Sequence, residues 1–379
     1  MTYEAEDDHM AHSYLRTITR LLTIALGAAS LLAAIAAGPA SAGGGVRAIR
    51  VASGLNGSAA FTFTPNGTIV YLERGTGEVR LRNTKTDFDR RFFDIKGVNG
   101  DGERGALGVA LHPSWPRKPF VYVYITRTVN GDLRNQIVRI RERNGKGVGL
   151  STILSTPASS SQYHNGGRIM FGPDGKLYAI VGDGHSAGNA QDVTGDLRGK
   201  ILRMNPDGSV PGTNPMIGGR RSRIFAFGIR NSFGFTFDPQ TGELWETENG
   251  PECNDEINLV RPGDNYAWGS SQTCPDTNQD GPAPRRLPEV NFSSTIGITG
   301  AAFCDGCGLP GREGDLLFGA CCDGGLLRRV VLDAARDDVT SGPVTMLTAP
   351  GGSILSIEVG PSGRIYFSDS SSIYRLRAG

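Results

Sequence analysis

Pro65-Asn66-Gly67-Thr68-Ile69, Pro173-Asp174-Gly175-Lys176-Leu177 and Pro361-Ser362-Gly363-Arg364-Ile365 repeat one pattern, Pro-x-Gly-x-aliphatic, each close to a Tyr. Asp238-Pro239-Gln240-Thr241-Gly242-Glu243-Leu244-Trp245 is a looser copy. The chemistry of the unit is a tight hairpin: Pro presets φ at the turn entry, and Gly accepts the positive φ that follows. Short β-rich runs surround it, among them FTFTPNGTIVYLE (61–73), FVYVYIT (120–126), GELWETENG (242–250) and GRIYFSDSSSIYRLR (363–377). They alternate or run apolar over a few residues and stop at Gly, Asp, Asn or Pro. No long stretch after residue 43 has helical apolar spacing. The copies lie 108 residues apart (65 to 173), then 66 (173 to 239), then 122 (239 to 361). With degenerate copies between them, the period is about 50 to 60 residues with several strands per unit, the signature of propeller blades. The 337 residues from Gly43 onward divide into six units of about 56. The expected fold class is all-β, a six-bladed β-propeller.

Composition agrees with a turn-rich globular chain. Gly supplies 54 of the 379 residues, about 14% and twice ordinary usage. It shows no three-residue period and Pro numbers only 21, which excludes collagen and a low-complexity chain. A net charge of +1 with no Lys/Arg cluster argues against a nucleic-acid surface.

Residues 21–38 are uncharged and mostly apolar, follow Arg16 and Arg20, and end at Pro39-Ala40-Ser41-Ala42. This reads as a secretory signal over residues 1–42, cut after Ala42, with Met10 an alternative start. An uncleaved anchor is the competing reading, since 18 such residues just span a bilayer. The expectation is an extracytoplasmic protein without stable membrane insertion after cleavage, its propeller domain running over 43–379. That mature chain carries 37 basic and 34 acidic residues, all six Cys and three His. An even Cys count in an exported chain favours disulfides. Cys304-x-x-Cys307 lacks a second such pair or a nearby His, which argues against zinc. The expected pairing is Cys253 with Cys274, and Cys304, Cys307, Cys321 and Cys322 among themselves.

Chemistry gathers in two stretches. In the first, His164-Asn165-Gly166-Gly167-Arg168 precedes a strand, and His is the side chain suited to proton abstraction near neutral pH. In the second, Arg230 and Asn231 sit on a turn entering a strand, Gly250-Pro251 ends another, and Asp255-Glu256 precedes Tyr266. Carbonyls and carboxylates at such density suit a hard cation such as Ca2+; inter-blade ion pairs and turns would use the same residues.

Several words occur here in a fixed order: GERGALGVALHP (102–113), HNGGRIMFGPDGKLY (164–178), GKILRMNPDGSVPGTNP (199–215), GIRNSFGF (228–235) and CNDEINLVRPGDNYAW (253–268). From about Gly54 to Gly379 the chain resembles the soluble glucose/sorbosone (aldose sugar) dehydrogenase family. The resemblance implies a six-bladed propeller with pyrroloquinoline quinone (PQQ) on its axis. By the same resemblance His164 is the catalytic base that takes the anomeric hydroxyl's proton, and Arg230 and Asn231 contact the cofactor. Gly250 and Pro251 would hold the cofactor's Ca2+ through their carbonyls, and Glu256 and Tyr266 a second, structural Ca2+.

The departures from the family pattern are equally specific. Glu103 stands where the family often has a cofactor-facing Gln. Gly319-Ala320-Cys321-Cys322-Asp323-Gly324 lacks the Lys expected of the fifth blade. Ser353-Ile354-Leu355-Ser356-Ile357 replaces an Arg-x-Arg in the last. Burying the cofactor's three carboxylates without cationic partners costs several kcal/mol each. Two functions therefore follow. One is a secreted quinoprotein dehydrogenase oxidising the C1 hydroxyl of aldoses to lactones, with an external electron acceptor. The other is a Ca2+-stabilised binding propeller without PQQ, like the hedgehog-interacting-protein relatives of the family.

Overall fold

A computed structural model describes residues 45–86, 88–269 and 282–379. The proposed signal segment and Cys274 lie outside the described residues. Six four-stranded antiparallel sheets make six blades. Blade 1 comprises Phe61–Phe63, Ile69–Leu72, Glu78–Asn83 and Phe88–Asp94; blade 2 Ala106–Leu111, Phe120–Val129, Asp132–Arg143 and Lys146–Pro157. Blade 3 comprises Ile169–Phe171, Leu177–Val181, Lys200–Met204 and Ile224–Phe227; blade 4 Ser232–Phe237, Leu244–Glu248, Asp255–Val260 and Val290–Phe292. Blade 5 comprises Ile298–Phe303, Leu316–Ala320, Leu326–Leu332 and Val339–Thr348. Blade 6 takes three strands from the C-terminus (Ser356–Val359, Ile365–Ser368, Ser372–Ala378) and its fourth, Val46–Ser53, from the start of the propeller. That pairing, from Val46 opposite Ala378 to Ser53 opposite Ser372, closes the ring.

The repeat seen in the sequence is the first hairpin of a blade. Gly67, Gly175, Gly242 and Gly363 sit in those turns of blades 1, 3, 4 and 6 with φ of 86°, 70°, 77° and 76°. The spacings of 108 and 122 residues each span two blades, and 66 spans one. The intervening copies are degenerate for visible reasons: His112–Pro119 fills the turn of blade 2, and the Cys304–Cys307 disulfide that of blade 5.

Strand periodicity builds the core. On the central strand of blade 3, Leu177, Ala179 and Val181 pack toward blade 2, while Tyr178 and Ile180 pack toward blade 4. The same division gives six apolar clusters, one at each of the six blade–blade interfaces. The cluster at the closure is small, built on Ala52, Leu55, Phe61, Ile69, Tyr71 and Ile373.

One stripe of this core is acidic. On the face of blade 4 that carries Leu244 and Val260 toward blade 3, the intervening residues are Glu246, Glu248, Glu256 and Asn258, all buried. Asn258 Nδ2 donates to Glu246 Oε1 (3.0 Å) and to Glu256 Oε2 (3.2 Å). Glu248 accepts from the backbone N–H of Arg230. Burial and then the neighbouring carboxylates Glu246 and Glu256 raise the Glu248 carboxyl well above its ordinary range; burial also raises Glu246.

Two outcomes follow from this packing. Phe61→Ala, at the closure interface, is expected to cost about 3–5 kcal/mol, measured as a lower denaturant midpoint at unchanged slope. The acidic stripe makes stability pH-dependent. A carboxyl whose folded pKa is raised contributes most below its unfolded value of about 4.3 and loses that contribution as pH rises through the folded value. In metal-free protein, Glu248→Gln should therefore gain on wild type steadily from pH 5 to pH 8. A constant difference between the two denaturation midpoints would contradict the shift.

Candidate active site

The hairpin turns mark one end of the propeller. At the other, the loops entering each inner strand and those leaving the second strands converge on a cavity of about 650 Å3. Glu103, His164, Arg230, Asn231, Gly250 and Pro251 all line it, so six of the eight residues singled out in the sequence meet at one place. Glu256 and Tyr266 do not. Glu256 belongs to the acidic stripe of blade 4, and the Tyr266 hydroxyl donates to Leu259 O (2.7 Å) and accepts from Arg261 N (3.1 Å). A larger cavity of about 800 Å3, lined by residues such as Val193, Ile217, Phe227 and Arg286, contains none of the eight.

His164 is held at its backbone N–H, its carbonyl and its Nδ1. Its backbone is left-handed (φ 58°), a conformation a non-glycine residue keeps only where its surroundings impose it. Glu103 Oε2 accepts its N–H at 2.7 Å, and its carbonyl accepts from Gly184 N at 3.1 Å. Gly182 lies beneath: a β-carbon there would stand 2.4 Å from His164 O and 3.2 Å from Arg230 O, so no other residue fits. The imidazole Nδ1 lies 2.7 Å from Asp183 Oδ1, and Asp183 Oδ2 accepts from the Trp268 indole N–H at 2.7 Å. With Asp183 accepting from Nδ1–H, Nε2 is the basic nitrogen. Asp183 and Trp268 escaped the sequence reading; Gly182-Asp183-Gly184 at a strand end was the only local signal for the first.

Arg230 completes this chain. Its guanidinium lies 5.2 Å from the Trp268 ring centroid, and its Nη1 donates to Asn249 O (2.8 Å) and Gly250 O (3.0 Å). Burial lowers its pKa, opposed by the carboxylates of Asp183, Glu248 and Glu103. Asn231 Nδ2 leans on Glu103 at 3.3 Å. Arg230 Nε and Asn231 Oδ1 are buried without a hydrogen-bond partner, as expected of groups that wait for a ligand.

The missing cations are supplied from elsewhere in the ring. Arg168 reaches from blade 3 across the axis to blade 6, donating to Leu355 O and Ser356 Oγ, both at 3.0 Å. Leu355 and Ser356 belong to the segment that lacks the Arg-x-Arg. Arg74, from blade 1, also lines the cavity and donates to the carbonyls of Gly100, Gly102 and Arg104. The described lining thus carries three guanidiniums and one carboxylate, Glu103. A planar tricarboxylate fits this charge and this volume.

The expected disulfides among the last four Cys are present as Cys304–Cys307 and Cys321–Cys322. Among the described residues no group of three His, Cys, Asp or Glu side chains is arranged as a metal centre. Glu246 Oε2, Glu248 Oε2 and Asn258 Oδ1 are nevertheless buried acceptors without donors. No helix among the described residues is long and apolar enough to cross a membrane.

Residues 55–376 match the glucose/sorbosone dehydrogenase family. The quinoprotein glucose dehydrogenase B of Acinetobacter calcoaceticus is 32% identical over 58% of this chain, a match that spans about half (51%) of that protein. Aldose sugar dehydrogenase YliI of Escherichia coli is 26% identical, over 83% of this chain and 87% of its own. The PQQ-bound aldose sugar dehydrogenase of Streptomyces coelicolor superposes with a TM-score of 0.76 at 27% identity, covering 88% of this chain and 98% of its own. With the axial cavity and its buried His–Asp pair, these likenesses make the chain a member of the glucose/sorbosone dehydrogenase family, an oxidoreductase on a six-bladed propeller.

Proposed function

We propose that the protein is an exported quinoprotein that oxidises the C1 hydroxyl of aldose sugars to the lactone, using PQQ and Ca2+. The observation that carries this reading is the His164–Asp183 pair opening on a cavity lined by three guanidiniums. PQQ, when bound, supplies the two-electron acceptor for the C1 hydride. His164 Nε2 takes the hydroxyl proton, while Asp183 fixes the tautomer and stabilises the imidazolium that results. Arg230, Asn231, Glu103, Arg168 and Arg74 line the cavity and would border a bound cofactor, and their positive excess favours an anionic ring system over water. Gly250 and Pro251 offer carbonyls to the cofactor's Ca2+, the Gly250 oxygen being shared with Arg230. The unpartnered acceptor atoms of Glu246, Glu248 and Asn258, the neighbours of Glu256, support a second Ca2+ near Glu256 and Tyr266. The reading also calls for an external electron acceptor.

The test of the chemistry is dye reduction with a panel of aldoses. His164→Gln should lower kcat about 10²–10⁴-fold while PQQ still binds. Asp183→Asn should also lower kcat at near-normal affinity, since it removes orientation rather than binding. Absence of dye reduction by wild type at saturating PQQ and Ca2+ would overturn the dehydrogenase reading in favour of a binding propeller. Calcium has its own test. A metal that binds only the native state stabilises it by about 2.7 kcal/mol at a hundred times its Kd. Chelator should lower Tm and added Ca2+ restore it; an unmoved melting curve contradicts the site.

A further inference from the structure

Cys321 and Cys322 are adjacent in the chain, joined to each other, and line the axial cavity. They leave the second strand of blade 5, at the segment where the family resemblance led us to expect a Lys. A disulfide stabilises a fold mainly by closing a loop in the unfolded chain, and its effect grows with the length of that loop. A bridge between neighbours closes almost nothing, so stapling the fold does not account for it. What the bridge does create is a rigid pair of sulfurs, with the rotamer freedom of both side chains removed. The pair is backed closely: a β-carbon on Gly297 would stand 2.8 Å from each Sγ, and Cys321 N donates to Gly297 O at 2.9 Å. Sulfur is polarisable and attracts aromatic rings. The Cys304–Cys307 pair is different, being buried in the core between blades 5 and 6.

We propose that the Cys321–Cys322 disulfide is a contact surface for the planar cofactor, standing where a cation was expected, and that its reduction loosens cofactor binding. The inference rests on the PQQ reading above. Cys322 is exposed, so a small reductant has access. An external dithiol would act by exchange: its two thiols close into a disulfide, two electrons and two protons pass to the bridge, and Cys321 and Cys322 become separate thiols.

The experiment is a PQQ titration of the full mature protein in excess Ca2+, read by quenching of intrinsic Trp fluorescence. It compares wild type, C321S/C322S, and wild type reduced with a phosphine and desalted before titration. The Kd should rise about tenfold in the double variant and in the reduced protein, and return on reoxidation, the size of a lost sulfur–ring contact. The Tm of the cofactor-free variant should stay at the wild-type value. Equal Kd values across the three samples would overturn the proposal, as would a fall in Tm that accompanies the loss of affinity, since the pair would then be a staple. No quenching in wild type at any PQQ concentration would instead overturn the cofactor reading itself, and this inference with it.

Discussion

Closure of the ring by Val46–Ser53 against Ser372–Ala378 is the constraint on which the rest depends. Each blade buries its two faces only against neighbours, so an open arc would leave two apolar faces in water. Closure also determines where the axis lies. Arg168 reaches Ser356 across it, a bond between residues 188 apart in sequence, and that bond exists only if blade 6 is complete and in place.

The site is a product of convergence. Loops from different blades place His164, Asp183, Trp268 and Arg230 in one chain of contacts, running from imidazole to carboxylate to indole to guanidinium. Each member restrains the next, so the imidazole is oriented before any ligand arrives, which is how a preorganised base avoids reorganisation during reaction. The left-handed backbone at His164 and the bare Cα of Gly182 beneath it are the local cost of that placement. Charge is arranged with the same economy. The Arg74 guanidinium is tied to backbone carbonyls, which leaves its positive charge available to the cavity, whereas Arg168 is bound to the Leu355 carbonyl and the Ser356 hydroxyl and interacts with the buried carboxyl of Glu358.

The family words led to six of the cavity's residues: Glu103, His164, Arg230 and Asn231 sit inside those words, and Gly250 and Pro251 just ahead of the last one. The departures read less reliably. The loss of the Lys and of the Arg-x-Arg suggested a weakened anion cradle, yet Arg168 delivers a cation to the second of those places from the opposite side of the ring. Nothing near Arg168 in sequence signals that reach. Glu103 stood out as a departure from the cofactor-facing Gln of the family, whereas in the fold it also anchors the His164 loop and Asn231.

By itself the sequence determined the blade. Proline's fixed φ, glycine's tolerance of positive φ and the two-residue strand period act within a few residues, so they can be read in order along the chain. Their repetition was enough to count six units, and the turns that carry them stand at the end of the propeller away from the site. Only the tertiary structure decided the site's partners: Asp183 for His164, Trp268 for Asp183, Arg168 for the segment at Leu355, and a disulfide on the cavity wall. The first three of those pairings join residues from 19 to 188 positions apart, and no local rule encodes which loop will face which once the ring has closed.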